Sequence, residues 1–212
     1  MLAERLLHKA DEGDLREVEE LLSGELDVNA CDEDGSTALM EASFSGRLEM
    51  VKLLLAKGAD PNAIDHEGAN ALLRACVLGH ADVVALLIEA GSAINVKNQY
   101  GMTPLLEAAF WGHASVVNLL VENGAHVDAA DMREKTALAW AALQGHHDVV
   151  ACLLYHGADA QEPDEDGNTP LDWASFEGHH SVIELLLAEP PCSALGLSEF
   201  TRAYAEVLPA AC

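Results

Sequence analysis

Apolar and small residues recur along this chain with a period of 33 residues. Steps of that length from Leu39 land on Leu72, Leu105, Leu138 and Leu171, and from Leu54 on Leu87, Leu120, Leu153 and Leu186. Ala42, Ala75, Ala108, Ala141 and Ala174 form a third series, and Val51, Val84, Val117, Val150 and Ile183 a fourth. Gly46, Gly79, Gly112, Gly145 and Gly178 separate the two apolar stretches of each period, and no insertion or deletion interrupts five periods. Self-similarity at this interval marks a stack of like supersecondary units, none of which buries its apolar face alone.

Each period predicts two short antiparallel helices and a hairpin-like loop. In the third, Thr103 suits an N-cap and Pro104 the first helical position, where a missing N–H costs nothing. The helix through Leu105, Ala108 and Ala109 ends at Gly112. A second helix, residues 114–122, carries Val116, Val117, Leu119, Leu120 and Val121, and Gly124 follows as a left-handed C-terminal cap. The alanines fall where neighbouring helices approach closely, and larger side chains there would force units apart.

These motifs resemble the ankyrin-repeat family. "DEDGSTALMEASFSGRLEMVKLLLAKGADPNA" (32–63), "YGMTPLLEAAFWGHASVVNLLVENGAHVDA" (100–129) and "DEDGNTPLDWASFEGHHSVIELLLAEP" (164–190) carry the resemblance. It implies an all-α solenoid of stacked helix-turn-helix units with β-hairpin-like loops. The repeats fall at about 1–30, 31–63, 64–96, 97–129, 130–162 and 163–195, with the first and last as caps. Residues 196–212 form a tail in which Phe200, Tyr204, Val207 and Leu208 follow Ser198 at helical spacing. Either a short helix seals the last repeat or the tail docks elsewhere.

The resemblance also implies a non-catalytic protein-interaction module, serving as adaptor, scaffold or inhibitory subunit. In the family, partners are gripped by the hairpin tips and by the open side of each first helix, which together line a concave groove. Carried onto this sequence, that groove presents Phe44, Val77, Leu78, Tyr100, Met102, Phe110, Trp111, Met132, Arg133 and Leu143. Bulky apolar groups at positions expected to be exposed mark an interface; Trp140 extends the patch. Packing against the next repeat is the competing reading, and is preferred for Trp173 and Phe176. Glu41, Arg74 and Glu107 suggest a charge ladder along the groove. Glu134 stands where the family has glycine, so that tip is expected to be distorted. Its flanking cations, Arg133 and Lys135, either meet an acidic group on the partner or sit on a drifted loop.

Charge narrows the partner class. The chain carries a formal −25, which repels nucleic acid and anionic membrane surfaces. The partner is therefore another protein or peptide, partly apolar and basic if the acidity was selected for attraction. The bland alternative is solubility of the end repeats: residues 1–30 hold three basic and nine acidic side chains, and 163–195 none and seven. Five scattered cysteines argue against a disulfide framework. With neither a signal-peptide pattern nor a membrane-span pattern, they suggest a cytoplasmic or nuclear monomer.

Catalytic signatures are missing from the sequence: G-x-G-x-x-G, G-x-x-x-x-G-K-[ST], G-x-S-x-G and H-E-x-x-H do not occur. "CDEDGS" and "PDEDGN" look like calcium loops but place Ala30 and Glu162 at the first ligand position. His80, His113, His146 and His179 occupy the structural G-H position of the family. Cys152 and His156 have ligand spacing, yet Cys152 falls in a buried series and reads as an apolar thiol. No cofactor or metal is expected, and a small-molecule or metal binder using the same groove is the alternative. The resemblance further implies hydroxylation as an option at the hairpin asparagines Asn29, Asn62 and Asn95, whose structural role is to tie the loops together.

Overall fold

The computed structural model describes residues 2–188. The predicted tail, with Phe200, Tyr204, Val207 and Leu208, lies outside them. Twelve helices are described. They are α1 (Leu2–Glu12), α2 (Leu15–Leu22), α3 (Ala38–Phe44), α4 (Leu48–Ala56), α5 (Ala71–Val77) and α6 (Ala81–Glu89), followed by α7 (Pro104–Trp111), α8 (Ala114–Glu122), α9 (Ala137–Gln144), α10 (His147–Tyr155), α11 (Pro170–Glu177) and α12 (His180–Leu187).

Among the described residues, each odd helix packs mainly on the even helix that follows it and on the odd helices before and after. The result is two parallel layers, α1-α3-α5-α7-α9-α11 and α2-α4-α6-α8-α10-α12, sharing one continuous core. That core contains the periodic leucines, valines and alanines: Leu39, Leu72, Leu105 and Leu138, Val51 to Val150, and Ala42 to Ala174 are fully enclosed. Leu171 and Ile183, in the last described unit, stay half-buried. First helices start on capping side chains: Thr37, Thr103, Thr136 and Thr169 hydroxyls, and the Asn70 amide oxygen, accept from the N–H three residues on.

Three ladders run along the stack. His80, His113, His146 and His179 reach back a unit, each Nε2 lying 2.9–3.1 Å from the carbonyl of Phe44, Val77, Phe110 or Leu143. The ring fits only because a glycine faces it: a Cβ on Gly79 would sit 2.4 Å from His113 Nδ1. Asn29, Asn62 and Asn95 reach forward, their side-chain oxygens accepting from the N–H of Asp60, Ala93 and His126 at 2.7–3.0 Å. Asp128 continues the series onto Asp159. The hairpin tips are joined directly, Gln99 N–H donating to Glu67 O at 2.7 Å and Glu165 N–H to Arg133 O at 3.1 Å.

Candidate functional site

The hairpins are built around one side chain each. In Asp32, Asp65, Asn98, Asp131 and Asp164, Oδ1 accepts from the backbone N–H two and four residues on. Such a bond pair mimics a backbone turn. In the aspartates the other oxygen can face the first helix nine residues later, and what stands there divides the groove. Asp65 Oδ2 meets the Arg74 guanidinium at 2.6 Å, whereas Asp131 and Asp164 accept from the indole N–H of Trp140 and Trp173 at 3.0 and 2.9 Å. Trp111 in turn hydrogen-bonds to Glu107. All three tryptophans of the chain are thus anchored by a carboxylate, which orients their ring faces.

The aromatic half lies over α7, α9 and α11. Phe110 packs edge-on against Trp111 and Trp140, with centroids 4.9 and 5.1 Å away, and Trp173 packs edge-on against Phe176 at 5.9 Å. Phe44, Leu78, Tyr100, Trp111 and Met132 are exposed, the last two at 51% and 71%. Val77, Phe110 and Leu143 are half-buried rather than fully open, Phe110 because its ring is taken up by the two indoles. Met102 is also half-buried and packs on the core. Phe176 is exposed, in place of the packed role given it above.

The cations at the fourth tip are used within the chain. Lys135 is only 5% exposed, its Nζ 4.4 Å from the Trp140 ring centre and 3.9 Å from that of Trp173. Burial pushes the amine below the usual lysine range, against the attraction of two indole faces for a cation. It does not face a partner. Arg133 is exposed, but its guanidinium bridges Glu165 at 2.5 Å and Asp166 at 3.3 Å. The tip itself is undistorted: Asp131 N–H donates to Lys135 O and Glu134 N–H to Asp131 O, as in its neighbours, with Glu134 at φ 59°.

The acidic half lies over α3 and α5. Asp32, Asp34, Glu41, Asp65 and Glu67 line a recess of about 360 Å³, with Ser36, His66 and Arg74. Burial raises the Glu41 and Glu107 carboxyls above the ordinary glutamate range, and the Arg74 charge opposes this in both cases. Of the expected charge ladder, Arg74 pairs with Asp65 rather than with Glu41 or Glu107. Arg74 Nε has no acceptor. Elsewhere cations are internally engaged: Arg5 and Lys9 pair with Glu17, Arg16 with Glu20, Lys52 with Glu49, Arg47 with Asp11 O, and Lys97 with Ala130 O.

Among the described residues, no group of three or more His, Cys, Asp or Glu is placed to hold a metal ion, and no helix is long and apolar enough to cross a membrane. Cys152 and His156 both face Asn118 Oδ1, the imidazole at 2.8 Å. The acidic recess, the Asp–Trp pairs and the Lys135 sandwich were not read from the sequence. The nine-residue offset between hairpin Asp and helix Trp was the signal available for the pairs. The family model for ankyrin repeats matches the chain in three copies, over residues 4–65, 58–131 and 128–194. No curated protein matches it.

Proposed function

The chain belongs to the ankyrin-repeat family, and we propose that it is a non-catalytic module that binds a partner protein through the face between its hairpin tips and first helices. Ankyrin repeats generally mediate protein–protein interaction. The observation that carries the reading here is the exposure of Tyr100, Trp111 and Met132 on the hairpin and first-helix face of a strongly anionic chain. Exposed apolar groups in such a setting mark an interface, and Trp, Tyr and Met are residue types that anchor one. The Trp111 indole is held by the Glu107 carboxylate, so little of its rotamer freedom is lost on binding.

The module spans residues 1–195 in six repeats, the outer two acting as caps. Its partner is a protein or peptide, apolar in part and basic in part, and the protein acts as adaptor, scaffold or inhibitory subunit. The free thiols of Cys31 and Cys76 suit a reducing compartment, cytoplasm or nucleus.

The test is affinity capture from lysate of the source organism, with wild type beside Trp111→Ala/Met132→Ala. Both side chains are exposed, so circular dichroism should show an unchanged fold. A protein retained by wild type and lost from the variant supports the reading. Equal retention by both moves the interface off this face.

A further inference from the structure

We propose that the groove takes an extended segment of a partner protein bearing a bulky apolar side chain and, about five to six residues away, an arginine or lysine. This rests on the groove being the binding face. The apolar side chain seats on the Phe110–Trp111–Trp140 cluster, and the cation enters the recess between the hairpins that precede α3 and α5.

Charge complementarity selects this occupant. Five carboxylates and one guanidinium line the recess, and the guanidinium is already committed to Asp65. Asp34 and Glu67 are exposed and pair with no cation among the described residues. Nearly every other described cation is likewise engaged internally. Steering toward such a patch raises association rates and fixes register more than it adds affinity; affinity comes from the aromatic anchor. A second copy of this chain brings a further −25 and so fits poorly. The raised Glu41 carboxyl adds a corollary, because a bound cation favours its ionised form and binding there releases protons in weakly acid solution.

The spacing follows from the stack. The recess lies between the α3 and α5 units and the aromatic cluster between α7 and α9, two helix positions apart. Packed helices stand about 8–10 Å apart, so the centres are about 16–20 Å apart. An extended chain advances about 3.3–3.6 Å per residue, and five to six residues cover that span.

The experiment is selection of random peptides of about 12 residues, long enough to span both halves, on the 212-residue chain. We expect enriched sequences to pair Arg or Lys with Trp, Phe, Leu or Met at four to seven positions' separation. Binding of a selected peptide should weaken about tenfold in Asp34→Asn/Glu67→Gln and about tenfold or more in Trp111→Ala/Met132→Ala. Replacing the peptide's basic residue by Gln should matter in wild type and not in Asp34→Asn/Glu67→Gln. Enriched peptides that are apolar alone, and that bind Asp34→Asn/Glu67→Gln as tightly as wild type, overturn this proposal and leave the groove reading standing. Peptides indifferent to both variants, or no enrichment at all, overturn both.

Discussion

Glu134 is the only non-glycine residue with positive φ among those described, at 59°, where the other hairpins use Gly35, Gly68, Gly101 and Gly167. An L-residue in this region is strained by about 1–2 kcal/mol. Glycine removes that strain but gives the unfolded chain more freedom, which costs about 0.5–1 kcal/mol. Glu134→Gly should therefore stabilise the protein by about 0.5–1 kcal/mol, or raise Tm by about 1–4 °C. Two controls isolate the cause. Glu134→Ala keeps the Cβ and loses the carboxylate, and should stay within about 0.5 kcal/mol of wild type. Gly101→Ala introduces the same strain (φ 76°) and also sets a Cβ 2.7 Å from Met132 N, so it should lose more than about 2 kcal/mol. Urea melts followed by circular dichroism measure all three, alongside thermal melts, because a repeat array does not always unfold in one step. A Glu134→Gly protein no more stable than wild type would refute the strain argument. So would an equal gain from Glu134→Ala, which would assign the effect to repulsion among the acidic tips.

His113→Ala should cost about 2–3 kcal/mol, since it deletes the bond to Val77 O and leaves a void against Gly79; a calorimetric scan checks it. Asn95→Ala removes both the acceptor for His126 N–H and the donor to Gly124 O. It should cost about 1–3 kcal/mol and speed hydrogen exchange at His126. Burial holds the Glu107 carboxyl above its ordinary value of 4.5, so the folded chain binds that proton more tightly than the unfolded one. Stability then falls as pH rises from 4.5 through the raised folded value and stays lowered above it. Glu107→Gln keeps an acceptor for Trp111 and should gain on wild type in urea melts as pH rises across that window; an unchanged difference would contradict the burial assignment.

Much of the architecture was legible because local and periodic signals agree. Thr103, Pro104 and Gly112 bounded α7, and the apolar spacing from Val116 to Val121 placed α8 at Ala114–Glu122. The site was legible only in part, since exposure depends on what the next unit contributes. Met132 and Trp111 stay open among the described residues. Lys135 looked like a second free cation, but Trp173, nearly forty residues on, closes over it. Arg133 was neutralised by Glu165 and Asp166 of the following hairpin. The distortion expected at Glu134 did not occur, because Asp131 and the adjoining tip hold the turn in shape against the strain.

The histidine and asparagine ladders join each unit to the next and no further, so load drawn through the two ends has no shortcut across the molecule. Pulled apart, such a chain yields as a zipper does, an end unit peeling away while those behind it keep their contacts. Each release would lengthen the tether by 33 residues, on the order of 110 Å. In a stack of this kind one unit can open and close while the contacts of the rest are kept.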